Sequence, residues 1–294
     1  MKTKQSVLLG LCAVLAATMA AAQQNDDFDA VEIIAHTVTE NISYLEGRGG
    51  NIGVLAGPQG VVLIDTQFAP LTEKILAAVA AITTAPIKLV INTHVHPDHI
   101  GGNLNLQEMG YPVIAHDNVR VRMAHGIRGG DPWPRAARPT MTFVDELSLF
   151  VNQSVRLVKV PSAHTDGDTF IHFVDADVLH LGDVFRTTGY PVVDFDNGGT
   201  AAGTLEALQI AIDLAGPQTR IIPGHGVLSS VDDVREFRDM IALVAERVSD
   251  LIDEGMSLEQ VLAAAPTADL DERWGGAPER FLTGMYQSIA AAER

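Results

Sequence analysis

Three imidazoles and one carboxylate fall within six positions of this chain, in Asn92-Thr93-His94-Val95-His96-Pro97-Asp98-His99-Ile100-Gly101-Gly102. Imidazole nitrogen and carboxylate oxygen are ligands that zinc accepts, and iron or manganese accept them too. Four such groups exceed what one tetrahedral ion takes from a single loop, which points to a pair of metals. Burying so many ionisable groups without a shared charge partner is expensive, so a purely structural cluster is disfavoured. Three further candidates stand at strand-to-loop junctions with Gly or Ala neighbours: His164 in Ser162-Ala163-His164-Thr165-Asp166-Gly167-Asp168, Asp183 in Leu181-Gly182-Asp183, and His225 in Pro223-Gly224-His225-Gly226. Small neighbours let a backbone approach a ligand closely. Singly each would be structural; with the cluster they make seven candidate ligands, enough for two ions.

The flanks of the cluster explain how it is held. Ile87-Lys88-Leu89-Val90-Ile91 is a short β-branched run after Pro86 and reads as a buried strand. Side chains two apart on an extended chain point the same way, so His94 and His96 converge just past its end. Pro97 turns the chain, so Asp98 and His99 project from a turn, and Gly102 to Met109 reads as the helix that follows.

Elsewhere strand-like runs at 42–45, 52–55 and 61–64 suit an antiparallel meander. Its Gly47-Arg48-Gly49-Gly50-Asn51 tip is either a mobile flap or a plain turn. A helix is expected over 69–82 and a strand over 113–115. The segment 126–140, with three prolines and paired glycines, is a long loop, either a lid or a passive insertion. A second meander follows at 147–150, 155–160, 169–174 and 178–181. Helices are expected over 205–214, 231–251, 258–264 and 280–292, with a strand at 220–222. His36, His116, His125, His172 and His180 are assigned to structure, with His116 or His125 as outside candidates for a substrate pocket. Nothing divides the chain, so residues 23–294 read as one domain with two β-rich halves.

At 294 residues, 47% hydrophobic and 19% charged, the chain is globular, not disordered. Its formal net charge of −17 repels phosphate backbones, which argues against nucleic acid or an anionic membrane as partner. Residues 1–22 read as a signal peptide: Lys2 and Lys4, the apolar run 7–17, and Ala20-Ala21-Ala22 before Gln23. Removing it takes two lysines, so −17 becomes −19, and takes Cys12, the only cysteine. Neither disulfides nor thiolate ligands would then be available, and a periplasmic or secreted location without membrane insertion is expected.

His-x-His-x-Asp-His, a later lone His, Gly-Asp, then Pro-Gly-His-Gly, in that order, resembles the metallo-β-lactamase superfamily over essentially the whole mature chain. The resemblance implies an α/β fold, an αβ/βα four-layer sandwich of two mixed β-sheets flanked by helices, with the site at one edge of the sheets. It implies that His94, His96 and His164 bind a first metal and Asp98, His99 and His225 a second, with Asp183 at the bridging position. An aspartate there, where cysteine-using lactamases have a thiolate, is similar to glyoxalase II-like thioesterases and lactonases. Arg186, three residues after Asp183, stands at the offset where many lactamases have a lysine for the substrate carboxylate, and arginine suits that task; a surface ion pair is the alternative. Asn197 stands roughly where such enzymes present an asparagine to the lactam carbonyl; a turn role beside its glycines is the alternative.

The expected activity is therefore two-zinc hydrolysis of a small molecule, with a water whose pKa falls to about 7 between the ions. A β-lactam is the leading substrate and a thioester or lactone the alternative. Asp98 would orient the nucleophile, and Thr165 and Asp166 would fix ligand orientation. A metal-binding accessory protein without turnover is the reading from a different class.

Overall fold

The computed structural model describes residues 27–276 and 278–292, so the signal-peptide segment lies outside the described residues. Two sheets lie face to face. The first runs β1 (Ile34–Thr37), β2 (Ile42–Glu46), β3 (Ile52–Gly57), β4 (Gly60–Ile64), β5 (Ile87–Ile91), β6 (Val113–His116) and β7 (Met141–Phe143) in spatial order. It is antiparallel from β1 to β4 and parallel from β4 to β7. The change has a local cause. Tight turns join the first four strands, whereas helices make the crossovers that parallel pairing requires.

Those helices are α1 (Thr72–Ile82), the single turn α2 (Pro97–Ile100), α3 (Asn103–Glu108) and α4 (Asp117–His125). Where one helix was expected from Gly102, the chain forms α2 and α3 in succession, because Pro97 at a helix start is already preset for the turn. The edge strands β1 and β7 were not anticipated; β1 is mostly exposed and too short to show a period.

The second sheet runs β13 (Ser229–Ser230), β12 (Arg220–Ile222), β11 (Val178–His180), β10 (Thr169–Phe173), β9 (Gln153–Lys159) and β8 (Glu146–Val151) in spatial order. Outside it pack α5 (Ala201–Leu214), α6 (Val231–Asp253), α7 (Leu258–Ala264), α8 (Asp271–Trp274) and α9 (Glu279–Ala292). Thr200 starts α5 four residues earlier than apolar periodicity suggests, since its hydroxyl accepts from Gly203 N. Helix α6 opens on a capping box, Ser230 with Asp233, and buries Val234, Phe237, Ile241, Val244 and Val248 at helical spacing.

The layer order is fixed by three apolar seams. Ile42, Tyr44, Val62 and Ile64 of the first sheet meet Leu157, Ile171, Phe173 and Val178 of the second. Leu45, Val54 and Leu63 face α1 through Ile75 and Val79 on the opposite side. Phe170, Leu179 and Ile221 face α5, α6 and α9 through Leu208, Phe237 and Phe281. The central strands of each sheet thus bury both faces, which gives the αβ/βα sandwich expected above. No helix among the described residues is long and apolar enough to cross a membrane.

Candidate metal centre

All seven expected ligands come together at one edge of the sandwich, beyond the C-terminal ends of β5, β11 and β12 and beside the start of β10. His94, His96, His164 and Asp183 form one group and Asp98, His99 and His225 a second, with ligand atoms within 4.8 Å of one another in each. His94 and His96, two apart after β5, have ring centroids 4.9 Å apart. His96 Nδ1 faces His164 Nε2 at 2.7 Å. Asp183 stands between the groups: Oδ2 is 3.7 Å from His164 Nε2 and 3.3 Å from His225 Nε2, and Oδ1 is 3.2 Å from His99 Nε2. Asp98 Oδ2 lies 3.3 Å from His225 Nε2.

The outer ring nitrogens decide what the inner ones present. His99 Nδ1 lies 2.7 Å from Asp65 Oδ2, His96 Nε2 lies 2.5 Å from Asp194 Oδ2, and His164 Nδ1 lies 2.6 Å from the Val192 carbonyl. Asp65 and the Val192 carbonyl can only accept, so His99 Nδ1 and His164 Nδ1 carry the proton, whereas His96 Nε2 stands between the Asp194 carboxylate and the Arg128 guanidinium, whose Nη2 is 2.9 Å away. Thr93 extends the pattern. Its hydroxyl donates to Asp65 Oδ2 at 2.6 Å and so accepts from His94 Nδ1 at 3.0 Å. His94 and His164 therefore turn an unprotonated nitrogen inward, and His164 Nε2 faces His96 Nδ1. His94 Nε2 and Asp183 Oδ1 are buried with no hydrogen-bond partner. A buried acceptor without a donor is costly, and a cation at this point would satisfy all of them at once. The donor set, nitrogen and oxygen without sulfur, fits zinc, iron or manganese.

Electrostatics agree. Burial, with the neighbouring His99 and His164, holds His94 well below the ordinary histidine range, and burial with His164 brings His96 down to about 4. Burial would lower His99 as well, but the carboxylates of Asp183, Asp98 and Asp65 outweigh it and raise His99 well above its usual value. For Asp183 burial acts upward, yet His99 and His225 hold its carboxyl well below the usual range. His94, His96 and His164 are thus neutral and able to ligate a cation, while His99, held as an imidazolium by the carboxylates around it, would give up its inner proton to do so.

Several contributors escaped the sequence reading. Asp65 gathers Thr93 N, Thr93 Oγ1 and His99 Nδ1 on one buried carboxylate. Its position closing β4 on an apolar run parallels that of Asp183, which was the available signal. Asp194 was likewise unforeseen. The β2–β3 turn is no free flap: Gly50 N donates to Asp98 O at 3.1 Å and Asn51 N to Gly224 O at 2.7 Å, and Asn51 Nδ2 donates to the carbonyls of Pro223 and Gly226. A Cβ on Gly50 would lie 2.1 Å from His99 Cε1, so only glycine lets the turn press on that ring.

Thr165 and Asp166 do not touch the ligands. Thr165 bonds Asp168 through both its N–H and its hydroxyl, and Asp166 pairs with Arg122 at 2.7 Å. The orienting role they were expected to play falls to Asp65, Asp194 and the Val192 carbonyl. The Asn197 amide is turned into the protein. It is fully buried, its Nδ2 donates to Asp194 Oδ2 at 2.8 Å, and its Oδ1 accepts from Arg128 N. Arg186 is half-buried, contacts only the Thr188 hydroxyl by hydrogen bond, and lines a cavity of about 240 Å³ beside the centre. The 126–140 loop is anchored through Arg128, whose guanidinium binds Asp194 Oδ2 at 2.7 Å. His116 caps α4, and His180 links Asn51 O to Gly182 N, both as structure. His125 bonds the Val121 carbonyl one turn back.

Comparison with known proteins follows the same line. Residues 45–225, more than half the chain, match the family model of the metallo-beta-lactamase superfamily. A metallo-beta-lactamase from Pontibacter korlensis superposes with a TM-score of 0.62 at 16% identity, over 72% of this chain and 99% of that one. A stereoselective inverting sec-alkylsulfatase from Pseudomonas sp. superposes with a TM-score of 0.71 at 17% identity, over 87% of this chain and 50% of that one. At such identities both show a shared fold. A linear primary-alkylsulfatase from Pseudomonas sp. (strain ATCC 19151) is 38% identical over 50 residues, 17% of this chain and only 10% of that relative's length. With a two-sheet sandwich, an inward-facing His/Asp cluster at its edge, and a family match spanning that cluster, the chain belongs to the metallo-beta-lactamase superfamily of metal-dependent hydrolases.

Proposed function

We propose that this chain hydrolyses a small anionic substrate at a two-metal centre, with a cyclic amide of the β-lactam type as the substrate of first choice. The observation that supports the reading is the convergence of His94, His96, His164 and Asp183 in one group and Asp98, His99 and His225 in another, each with ligand atoms within 4.8 Å, with His94 Nε2 and Asp183 Oδ1 buried and unpartnered. When bound, two zinc ions, or iron or manganese in their place, would lower the pKa of a shared water and polarise the scissile carbonyl. His94, His96 and His164 would hold one ion, Asp98, His99 and His225 the other, with Asp183 between them.

The chain's own groups do the rest. Asp98 remains ionised at neutral pH: burial acts to raise it, but His99 and His225 hold it well below the usual carboxylate range. It faces the second group of ligands and orients the attacking water by accepting its hydrogen bond. Arg186, in the cavity beside His225, holds the substrate's carboxylate. A β-lactam carries such a carboxylate next to its scissile amide, which supports the first choice.

A sulfate ester is the second reading, favoured by the alkylsulfatase fold that covers most of this chain and by the local sequence likeness to a primary-alkylsulfatase. A thioester or lactone remains the alternative raised by the aspartate at position 183. The test is a turnover panel on zinc-, iron- and manganese-loaded protein: a chromogenic cephalosporin, a glutathione thioester, a lactone and an aryl sulfate. Cephalosporin opening is expected. A rate confined to the thioester, the lactone or the sulfate removes the lactam reading, and full metal content with no rate anywhere favours a metal-binding accessory role. Small-molecule chemistry, a periplasmic or secreted location after loss of residues 1–22, and the absence of a nucleic-acid partner belong to the same proposal.

A further inference from the structure

Beside the centre lies the cavity of about 240 Å³ noted above, and its lining is unusual for so acidic a chain. It includes Arg186, Arg280, Thr188, Tyr190 and Val192, with no carboxylate among the described residues that line it. Acidic residues outnumber basic ones 37 to 20 in the chain. Two guanidiniums nonetheless share this small space, repelling one another, and the acids that act on Arg280, Asp194 and Asp98, lie outside its lining. Several other arginines pair with acids: Arg122 with Asp166, Arg128 with Asp194, Arg156 with Glu146, Arg247 with Asp269. Arg280 forms no side-chain hydrogen bond or ion pair among the described residues, and Arg186 reaches only a hydroxyl. Like charges drawn together repel, and a bound anion is what would reverse that cost.

The cavity touches the centre at two points. Arg186 bridges backbone to backbone with His225, and Thr187 N donates to His225 O. Val192, which also lines the cavity, accepts from His164 Nδ1 through its carbonyl. Arg280 and Val192 also line a larger neighbouring cavity of about 620 Å³, which Arg128, Asp194, Asp196 and Glu279 help enclose. Arg280 thus stands where the two spaces meet. It is placed there by α9, which lies beyond the family-matched residues 45–225. The close seat of α9 depends on Gly284, where a Cβ would meet the Val193 carbonyl at 2.1 Å.

We propose that Arg186 and Arg280 form a two-arginine clamp for the anionic oxygen group of the substrate, a carboxylate or a sulfate, and that α9 supplies it as a specificity element added to the family's core. This rests on the hydrolase reading for what is bound, though not for whether an anion binds. Two forked guanidiniums would each meet the oxygens with charge-assisted hydrogen bonds, while the larger cavity takes the remainder of the molecule.

Equilibrium binding to the metal-loaded protein tests the clamp independently of turnover. The probes are 2-naphthoate, 2-naphthalenesulfonate and neutral 2-naphthamide, measured by calorimetry on wild-type protein, Arg280→Ala and Arg186→Ala. At least one anion should bind wild-type protein more tightly than the amide, and the anion that gains more identifies the substrate group. Arg280→Ala should cut that gain by about tenfold and leave amide binding and thermal stability unchanged. Arg280 is exposed, so the variant folds, and Arg280→Lys should restore only part of the gain. Anions that bind no better than the amide, or a gain that survives Arg280→Ala, overturn the clamp. Wild-type protein that binds the anion yet turns over none of the panel leaves the clamp standing and removes the hydrolase reading.

Discussion

Asp194 Oδ2 lies 2.5 Å from His96 Nε2, and Arg128 Nη2 reaches the same oxygen at 2.7 Å, so one carboxylate ties a ligand histidine to the 126–140 loop. Burial would raise this carboxyl, but hydrogen bonds from His96, Arg128 and Asn197 hold it well below the usual range. It stays an anion and, with Arg128, fixes the His96 ring from its outer side.

Replacing Asp194 with Ala should weaken metal binding by about 10- to 100-fold, the ordinary cost of losing a partner behind a ligand imidazole. Competition against a chromophoric chelator measures it. An unchanged affinity would show that His96 needs no such support.

Gly50→Ala should be harsher than its size suggests. The new methyl would meet His99 Cε1 at 2.1 Å, and neither the ring, fixed by Asp65, nor the turn, bonded to Asp98 O and Gly224 O, has room to yield. Overpacking of this kind costs about 1 to 3 kcal/mol. Elemental analysis should show lost metal in the folded variant, and full metal content with wild-type stability would refute the close-approach argument.

Removing metal should lower stability by mass action. With free ion at a hundred times its Kd, each site contributes about 2.7 kcal/mol, and the negative pocket adds repulsion once emptied. Chelator-treated protein should therefore melt below the loaded form, and the gap should grow with free metal concentration. Coincident melting curves would rule out a native-state site.

Asp168 supplies a pH signature away from the ligands. Burial raises its carboxyl to about 6, and the hydrogen bonds from Thr165 offset only part of that. The folded state then holds this proton more tightly than the unfolded chain. Stability from this group is present below about pH 4 and is lost as pH rises through about 6, a penalty of roughly 2 to 3 kcal/mol at neutrality. Asp168→Asn keeps an acceptor for Thr165 N and cannot ionise. Its melting temperature relative to wild type should rise between pH 4 and 7, and a constant difference across that range would exclude the linkage.

What could be read along the chain was whatever depends on neighbours in sequence. His94 and His96 alternate off β5 because strands have a period of two, and Pro97, Asp98 and His99 turn because proline forces it. Capping and apolar spacing located α6, and the order of ligand motifs carried the likeness to the family and its sandwich. The seven candidate ligands were visible in the same way, as chemically distinctive types at strand ends.

Tertiary structure alone decided the partners. Asp194 meets His96 across 98 positions, and Asp65 meets His99 across 34. An aspartate at a strand end looks the same whether it binds an ion, aligns a histidine or caps a turn. Thr165 and Asp166, adjacent to a ligand, turned out to serve Asp168 and Arg122 instead, while Asn197 was drawn inward to Asp194. Arg280 carries no local mark at all, and its place beside Arg186 follows from how α9 packs on the segment around Val193. Side-chain chemistry is a property of the residue and can be read in one dimension. Which groups share a charge or a proton depends on distance in three, and that is set only when the two sheets and their helices close on one another.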